Sequence, residues 1–362
     1  MSPKTEWFNA APVAATNDKA DTPLFAFLSA LVRGEDLSVE RAAEFFRALT
    51  SNNANPAQIA GALAALTAKG ETPEELAGMA SAIREQAVHI TTRHENLIDI
   101  MGTGSSAGKT FNVSTAAAFV AAGAGLIVAK QANRAVSSRT GSADVLAKLG
   151  IKITAEPDAA QACLNGAGIC FMFAPKFHTT LRRVGEARNS LGIRTSLNLL
   201  GVLANPARAS KQIVGVWHKS LVKSMAQALA LLEAQHAWVV HGAADGLDEL
   251  TLTGDTLVAE VLAGKLKTFK VTPEDFGLHR AADLSHLRAE TADESASIIR
   301  EVLSGKRRDE ARALVVLNAA AAILIGGLSK KPIHAARLAE QSIDSASAQT
   351  KLERLIQTTN KR

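Results

Sequence analysis

The stretch Asp99-Ile100-Met101-Gly102-Thr103-Gly104-Ser105-Ser106-Ala107-Gly108-Lys109-Thr110-Phe111-Asn112-Val113-Ser114-Thr115 concentrates residue types that bind anions. Leu97 to Met101 is apolar enough to be a buried strand, and an alanine-rich helical run begins near Ala116. Between them lie glycines and small hydroxyl residues. Glycines let backbone N–H groups approach phosphate oxygens, and a helix N-terminus adds unpaired donors and partial positive charge. The nucleotide-binding pattern G-x-x-x-x-G-K-[ST] is matched by Gly108-Lys109-Thr110, but its first glycine would fall on Thr103, so that motif is not complete.

A second strand, Leu126-Ile127-Val128-Ala129, runs into Lys130-Gln131-Ala132-Asn133-Arg134-Ala135-Val136-Ser137-Ser138 and then Gly141-Ser142-Ala143-Asp144. In a parallel sheet the C-terminal ends of both strands share one edge, where ligands bind. A lysine, an arginine and several serines therefore meet the glycine loop at one crevice, a site for a ligand with several phosphate oxygens. A further acidic pair, Asp248-Glu249, follows Gly246-Leu247.

The elements that must position these residues are legible from pattern. Residues 1–22 are polar without sustained periodicity and read as a flexible extension. Residues 23–92 carry four helical segments: Ser38 can cap one, and Asn55-Pro56-Ala57-Gln58 and Thr72-Pro73-Glu74-Glu75 both look like capping boxes with proline at the first helical position. From 93 onward strands and helices alternate: a helix Ser142–Leu149, a short strand Lys152–Thr154, a helix Asp158–Asn165 ended by Gly166, and a strand Gly168–Phe173. The alternation resumes at Gln212–Val216, Ser220–Ala234 and Ala237–Val240. Leu250–Leu252 and Thr256–Glu260 read as peripheral antiparallel strands, and helices near 293–304, 308–325 and 334–357 close the chain. The expected class is α/β: a small all-helical domain plus a larger α/β domain (93–179 and 206–362) with a mostly parallel sheet flanked by helices. A helical segment at about 180–205 returns to the small domain.

With 362 residues, 47% apolar and 21% charged, the chain can build two domains with sizeable cores. No apolar run reaches the length of a membrane span, and the first twenty residues lack a charged-then-apolar signal pattern, so a cytoplasmic protein is expected. The two cysteines, Cys163 and Cys170, read as packed thiols. The net charge of +5 is dispersed and lacks an aromatic platform, which speaks against nucleic acid as a partner and suits a polyphosphorylated small molecule.

The Gly-Thr-Gly loop ending in Thr-Phe-Asn-Val-Ser-Thr, followed by Lys-x-x-Asn-Arg-Ala-Val-Ser-Ser, resembles the anthranilate phosphoribosyltransferase family. The resemblance continues through Phe173-Ala174-Pro175-Lys176-Phe177-His178, Arg188, Asn198-Leu199-Leu200-Gly201 with Asn205-Pro206, Gly246-Leu247-Asp248-Glu249, Glu274-Asp275-Phe276-Gly277-Leu278 and Leu317-Asn318-Ala319-Ala320-Ala321-Ala322, covering about residues 24 to 350. It implies that Gly102, Ser105, Ser106, Thr110, Asn112, Ser114, Thr115, Lys130, Asn133, Ser137, Ser138 and Ser142 face phosphoribosyl pyrophosphate. It implies that Asp248 and Glu249, helped by Ser114, bind Mg²⁺, which would bridge pyrophosphate oxygens to protein carboxylates. It assigns the acceptor side to Gly102, Asn133, His178 and Arg188, arginine being the natural bidentate partner of the anthranilate carboxylate. Lys130, Asn133 and Arg188 are the catalytic candidates, and a homodimer through the helical domain is implied.

The chain departs from the family pattern in four places. Ser105-Ser106 stand where the family has Gly-Asp, and Gln131-Ala132 where it has His-Gly; the Ala132 methyl is expected to crowd a backbone that approaches the ligand. Leu181 lies near a common tyrosine position, and Glu186 replaces a proline two residues before Arg188. These changes leave open a related transferase with a different aromatic acceptor. A non-catalytic nucleic-acid-binding relative is the other alternative, against which Lys130, Asp248 and Glu249 argue.

Overall fold

The computed structural model describes residues 22–361 except 105, 107 and 135–139. The expected N-terminal extension therefore lies outside the described residues, apart from Thr22. The chain forms two compact units, one of residues up to Gln86 together with Thr179–Leu200, the other of Ala87–His178 and Gly201 onward.

The first unit is helical. Helices Pro23–Val32, Val39–Thr50, Pro56–Lys69 and Pro73–Gln86 pack with Leu181–Leu191 around Phe45, Phe46, Leu49, Leu63, Leu66, Leu76 and Ile83. Their starts follow the expected capping chemistry. The Ser38 hydroxyl accepts from the Arg41 N–H, and Asn55 accepts from the Ala57 N–H at 2.8 Å. Thr72 and Glu75 form a complete reciprocal box, Glu75 N–H donating to Thr72 Oγ1 at 3.2 Å and Thr72 N–H to Glu75 Oε2 at 2.9 Å. Glu75 is fully buried, and its other oxygen accepts the Leu37 N–H at 3.0 Å while Lys69 Nζ donates to Oε2 at 3.0 Å.

The second unit holds a seven-stranded sheet: β1 (Leu97–Gly102), β2 (Ile127–Ala132), β3 (Ile169–Phe173), β4 (Lys211–Gly215), β5 (His236–Gly242), β6 (Thr256–Leu262) and β7 (Lys265–Val271), in the order β3-β2-β1-β4-β5-β6-β7. The first five are parallel; β6 and β7 run antiparallel at one edge. The chain leaves β1 toward β2 on one side, whereas β4 pairs with β1 on the other. That reversal opens a crevice at the C-terminal ends of β1 and β4, where Gly102 pairs with Gly215. The helix Val113–Gly123, buried from Thr115 to Ala122, and the helix Glu310–Gly326, buried over most of its length, pack into the core beside the sheet. Both cysteines are buried free thiols, and burial pushes Cys163 up to about 11.

Several expectations are corrected. Lys152–Thr154 is a turn, because the Lys152 N–H donates to Thr359 Oγ1 at 3.2 Å instead of to a strand, and β3 pairs directly with β2. The helix ahead of β3 runs on to Ala167 and ends at Gly168, the residue with φ of +73°. Leu250–Leu252 is not a strand: the Asn318 amide takes both backbone groups of Leu250 at 3.0 Å, and Thr256 Oγ1 takes the Thr251 N–H. Residues 334–357 hold two helices, Pro332–Asp344 and Ser347–Thr359, separated at Ala346, whose φ is +58°. β7 has no counterpart in the sequence reading; it joins β6 through Ala263-Gly264, both at positive φ, the conformation of a tight hairpin. Among the described residues no helix is long and apolar enough to cross a membrane.

Candidate active site

The site is built on backbone approaches that only glycine permits. At the ends of β1 and β4, a Cβ on Gly102 would stand 2.6 Å from Asp248 Oδ2, and one on Gly215 would stand 1.5 Å from the Asp248 carbonyl oxygen. A Cβ on Gly108 would meet the Asp245 carbonyl oxygen at 2.6 Å. The 245–249 loop therefore lies directly on the bare backbone of the two strand ends and the glycine loop. Gly104, at φ of +73°, donates its N–H to Asp248 Oδ2 at 2.6 Å. Glu249 Oε1 accepts the Ser114 N–H at 3.1 Å, at the start of the helix Val113–Gly123, where the helix dipole favours negative charge. Asp248 thus meets Gly104 across a separation of 144 in residue number.

Glu249 Oε2 is buried and has no hydrogen-bond partner among the described residues. Burial, reinforced by the neighbouring Asp248 charge, pushes the Glu249 carboxyl up to about 8. A buried carboxylate oxygen with nothing to satisfy it is poised for a cation. Among the described residues no cluster of three or more His, Cys, Asp or Glu side chains lies close enough to hold a metal ion. Two carboxylates and the Ser114 hydroxyl are hard oxygen donors, and Mg²⁺ typically combines one or two carboxylates with water and substrate phosphates. The residues present fit that ion.

Beneath the pair lies Lys130, 2% exposed, whose ammonium donates to the Ile100 carbonyl and reaches Ser114 Oγ at 3.4 Å. Burial lowers its pKa, and the charges of Asp99, Glu249 and Asp248 oppose that shift. Asp99, also buried, is raised by desolvation, against the pull of Lys130 and of Asn205, whose Nδ2 donates to Asp99 Oδ2 at 2.7 Å and to the Ala129 carbonyl at 2.8 Å. The lysine is thus held by the Ile100 carbonyl and Ser114 beside the acidic pair.

The other candidates are placed as follows. Ser142 Oγ accepts the Asn133 N–H at 3.1 Å. Asn112 Oδ1 accepts from Ser295 Oγ at 2.9 Å and Thr140 Oγ1 at 3.1 Å. Ser106 and Thr110 turn their hydroxyls onto the carbonyls of Gly108 and Phe111. Thr115 is fully buried, and its hydroxyl has no hydrogen-bond partner among the described residues. Ser105, Ser137 and Ser138 lie outside the described residues. Ala132 is buried in the apolar core and pairs in register with Phe173. Gln131 beside it is buried, with Oε1 unpartnered among the described residues.

His178, which ends the turn Ala174–Phe177, is 3% exposed, and neither ring nitrogen makes a hydrogen bond of ordinary geometry. Burial lowers the imidazole to about 4, with the Ala204 backbone opposing the shift. Because the folded value lies below that of the unfolded chain, His178 favours folding above pH 6.5 and loses that contribution as pH falls toward 4. Between pH 7 and pH 5 the loss is about 2 kcal/mol. A His178→Gln variant should show a correspondingly smaller drop in denaturation free energy over this interval; equal drops in both proteins would exclude a buried neutral imidazole.

Arg188 belongs to the helical unit, on the helix Leu181–Leu191. It is partly buried, burial lowers its pKa, and its guanidinium pairs with no carboxylate among the described residues. Sequence reasoning missed Asp99, Asn205, Gly215, Asp245 and Ser295 as parts of this arrangement. Asn205 and Asp99 belong to motifs already singled out, but no local pattern ties either to Lys130.

A model described as "Glycosyl transferase family, a/b domain" matches residues 94–349, and one described as "Glycosyl transferase family, helical bundle domain" matches residues 26–87. The chain is 46% identical over 333 residues to an anthranilate phosphoribosyltransferase of Moorella thermoacetica, covering 92% of this chain and 97% of that protein. It superposes with a TM-score of 0.86 on the crystal structure of the Thermus thermophilus enzyme of that name, 38% identical, covering 92% of this chain and 99% of the other. The Saccharomyces cerevisiae enzyme in complex with phosphoribosyl pyrophosphate and Mg follows at a TM-score of 0.85 and 28% identity, covering 94% and 98%. On this match in sequence and fold along almost its whole length, the chain belongs to the anthranilate phosphoribosyltransferase family.

Proposed function

We propose that the protein transfers phosphoribosyl from phosphoribosyl pyrophosphate to the amine of anthranilate, releasing pyrophosphate, with Mg²⁺ as cofactor. The observation that carries this reading is the Asp248–Glu249 pair held against the glycine loop and a helix N-terminus, with Glu249 Oε2 left unsatisfied. Asp248, Glu249 and Ser114 would hold the ion, which when bound offsets charge on the pyrophosphate leaving group. The glycine-rich run that begins at Gly102, together with the partial positive charge at the start of the Val113–Gly123 helix, receives the phosphates. Asn133 and Ser142, bonded to each other, face the same ligand. Lys130 holds positive charge beneath the carboxylates, so the site need not reorganise as charge moves to the leaving group.

The acceptor nitrogen is a neutral aniline and needs no base to become a nucleophile, so catalysis is chiefly positioning. Arg188 takes the anthranilate carboxylate, and Asn133, Gly102 and His178 orient the ring. His178 serves in its neutral form, which its depressed pKa supports near pH 7. An Arg188→Ala variant should raise the anthranilate KM by roughly 10- to 100-fold, the range for a lost charged hydrogen-bonding partner. The KM for phosphoribosyl pyrophosphate should stay within about twofold. Equal changes in both constants would remove Arg188 from acceptor binding.

The exposed apolar side chains Phe25 and Val32 on the helix Pro23–Val32 support the helical unit as a homodimer interface. A cytoplasmic setting agrees with tryptophan biosynthesis. Gln131, whose buried Oε1 has no partner among the described residues, supports a second reading, a transferase for another aromatic amine. A screen of substituted anthranilates separates the two.

A further inference from the structure

We infer that Asp245, the third carboxylate of the 245–249 loop, is a positioning residue that sets the loop's affinity for Mg²⁺ without touching the ion. This rests on the reading of Asp248 and Glu249 as the Mg²⁺ pair.

The Asp245 carboxylate is saturated by protein donors. Its Oδ1 accepts the Leu247 N–H at 3.1 Å. Its Oδ2 accepts from Thr253 Oγ1 at 2.8 Å and from Thr251 Oγ1, and the two hydroxyls also contact each other at 3.1 Å. A carboxylate with three donors already in place has little reason to bind a cation. Its bonds instead tie the entry of the loop to its exit. The Leu247 N–H bond fixes the turn just before Asp248, and the threonine bonds fix the segment just after Glu249. The tie is tight at both ends: a Cβ on Gly242 would stand 2.5 Å from Asp245 Oδ1, and one on Gly108 would stand 2.6 Å from the Asp245 carbonyl oxygen. Gly242 N–H also donates to the Leu247 carbonyl at 2.8 Å, and Gly246 N–H to the Gly242 carbonyl at 3.0 Å.

The consequence lies in entropy and register. Asp248 and Glu249 must meet two separate N–H groups, those of Gly104 and Ser114, while leaving Glu249 Oε2 free for the ion. Two carboxylates on an untied loop would have to be ordered by each binding event, and that ordering cost would appear in the metal affinity. Asp245 removes it by holding the loop in its binding shape beforehand. Outer partners of this kind typically alter metal affinity 10- to 100-fold.

The test is Asp245→Asn, close in size and so tolerated beside Gly242, but unable to accept from all three donors. Phosphoribosyl pyrophosphate binding would be measured by calorimetry across a Mg²⁺ series, without acceptor. The variant should need roughly tenfold more Mg²⁺ for half-maximal binding, while binding at saturating Mg²⁺ and the thermal midpoint of the metal-free protein stay close to wild type. Thr253→Val should shift the Mg²⁺ requirement in the same direction and Thr253→Ser should restore it, which a general loss of stability would not do. An unchanged Mg²⁺ requirement in both Asp245→Asn and Thr253→Val overturns the inference and leaves the transferase reading intact. Wild-type protein that binds phosphoribosyl pyrophosphate without regard to Mg²⁺ overturns both.

Discussion

A Gly215→Ala protein is expected to lose turnover by roughly 100-fold or more while remaining folded, the cost of about 1 Å of misplacement in a catalytic group. Gly215 ends β4 and faces Gly102 across the β1–β4 crevice. An added methyl carbon would lie 1.5 Å from the Asp248 carbonyl oxygen and 2.3 Å from its carbonyl carbon. Both are backbone atoms, so no rotamer change relieves the clash, and Asp248 must move off its bond to the Gly104 N–H. Circular dichroism and steady-state kinetics at high Mg²⁺ check this. A folded variant with near-normal kcat would mean that the 245–249 loop moves freely and that its position does not matter.

The largest expected stability effect is in the helical unit, at Glu75. This buried carboxylate satisfies two backbone N–H groups, Leu37 and Thr72, and pairs with Lys69, which is 8% exposed. Removing one partner of such a network leaves the others buried and unpaired, at about 3 kcal/mol or more. Lys69 keeps its second partner, Asp36, so the cost is at the lower end of that range. Urea denaturation of the full chain should show Glu75→Ala destabilised by about 3 kcal/mol, with Glu75→Gln between it and wild type. A loss below about 1 kcal/mol would show that water replaces the carboxylate without penalty.

What could be read in advance divides along physical lines. Local chemistry was legible: Ser38, Asn55 and Thr72 announce helix starts because caps act within three or four residues. The succession of strand, glycine-rich run and helix from Leu97 to Gly123 is legible for the same reason. Elements decided by distant partners were not legible. Nothing near Lys152 shows that its N–H will meet Thr359, and nothing near Leu250 shows that Asn318 will take both its backbone groups. β7 alternates only weakly, with Lys265, Lys267 and Lys270 guarding an exposed edge, so its sequence reads as solvated loop.

The site follows the same division. Asp248 and Glu249 were found through their motif, but their docking depends on Gly215 and Gly108, whose need for no side chain is visible only in three dimensions. Lys130 was found as a cation; its burial under the Ile100 carbonyl, with Asp99 and Asn205 as neighbours, needed the sheet to bring β1, β2 and the 205–209 turn together.

The central claim is most directly tested by mixing the purified protein with phosphoribosyl pyrophosphate, Mg²⁺ and anthranilate and following anthranilate fluorescence. The Asp248→Ala/Glu249→Ala protein is the control. The expected result is a Mg²⁺-dependent loss of fluorescence that the control lacks. Persistent fluorescence with the wild-type protein, at saturating substrates and Mg²⁺, would contradict the assignment of anthranilate as acceptor.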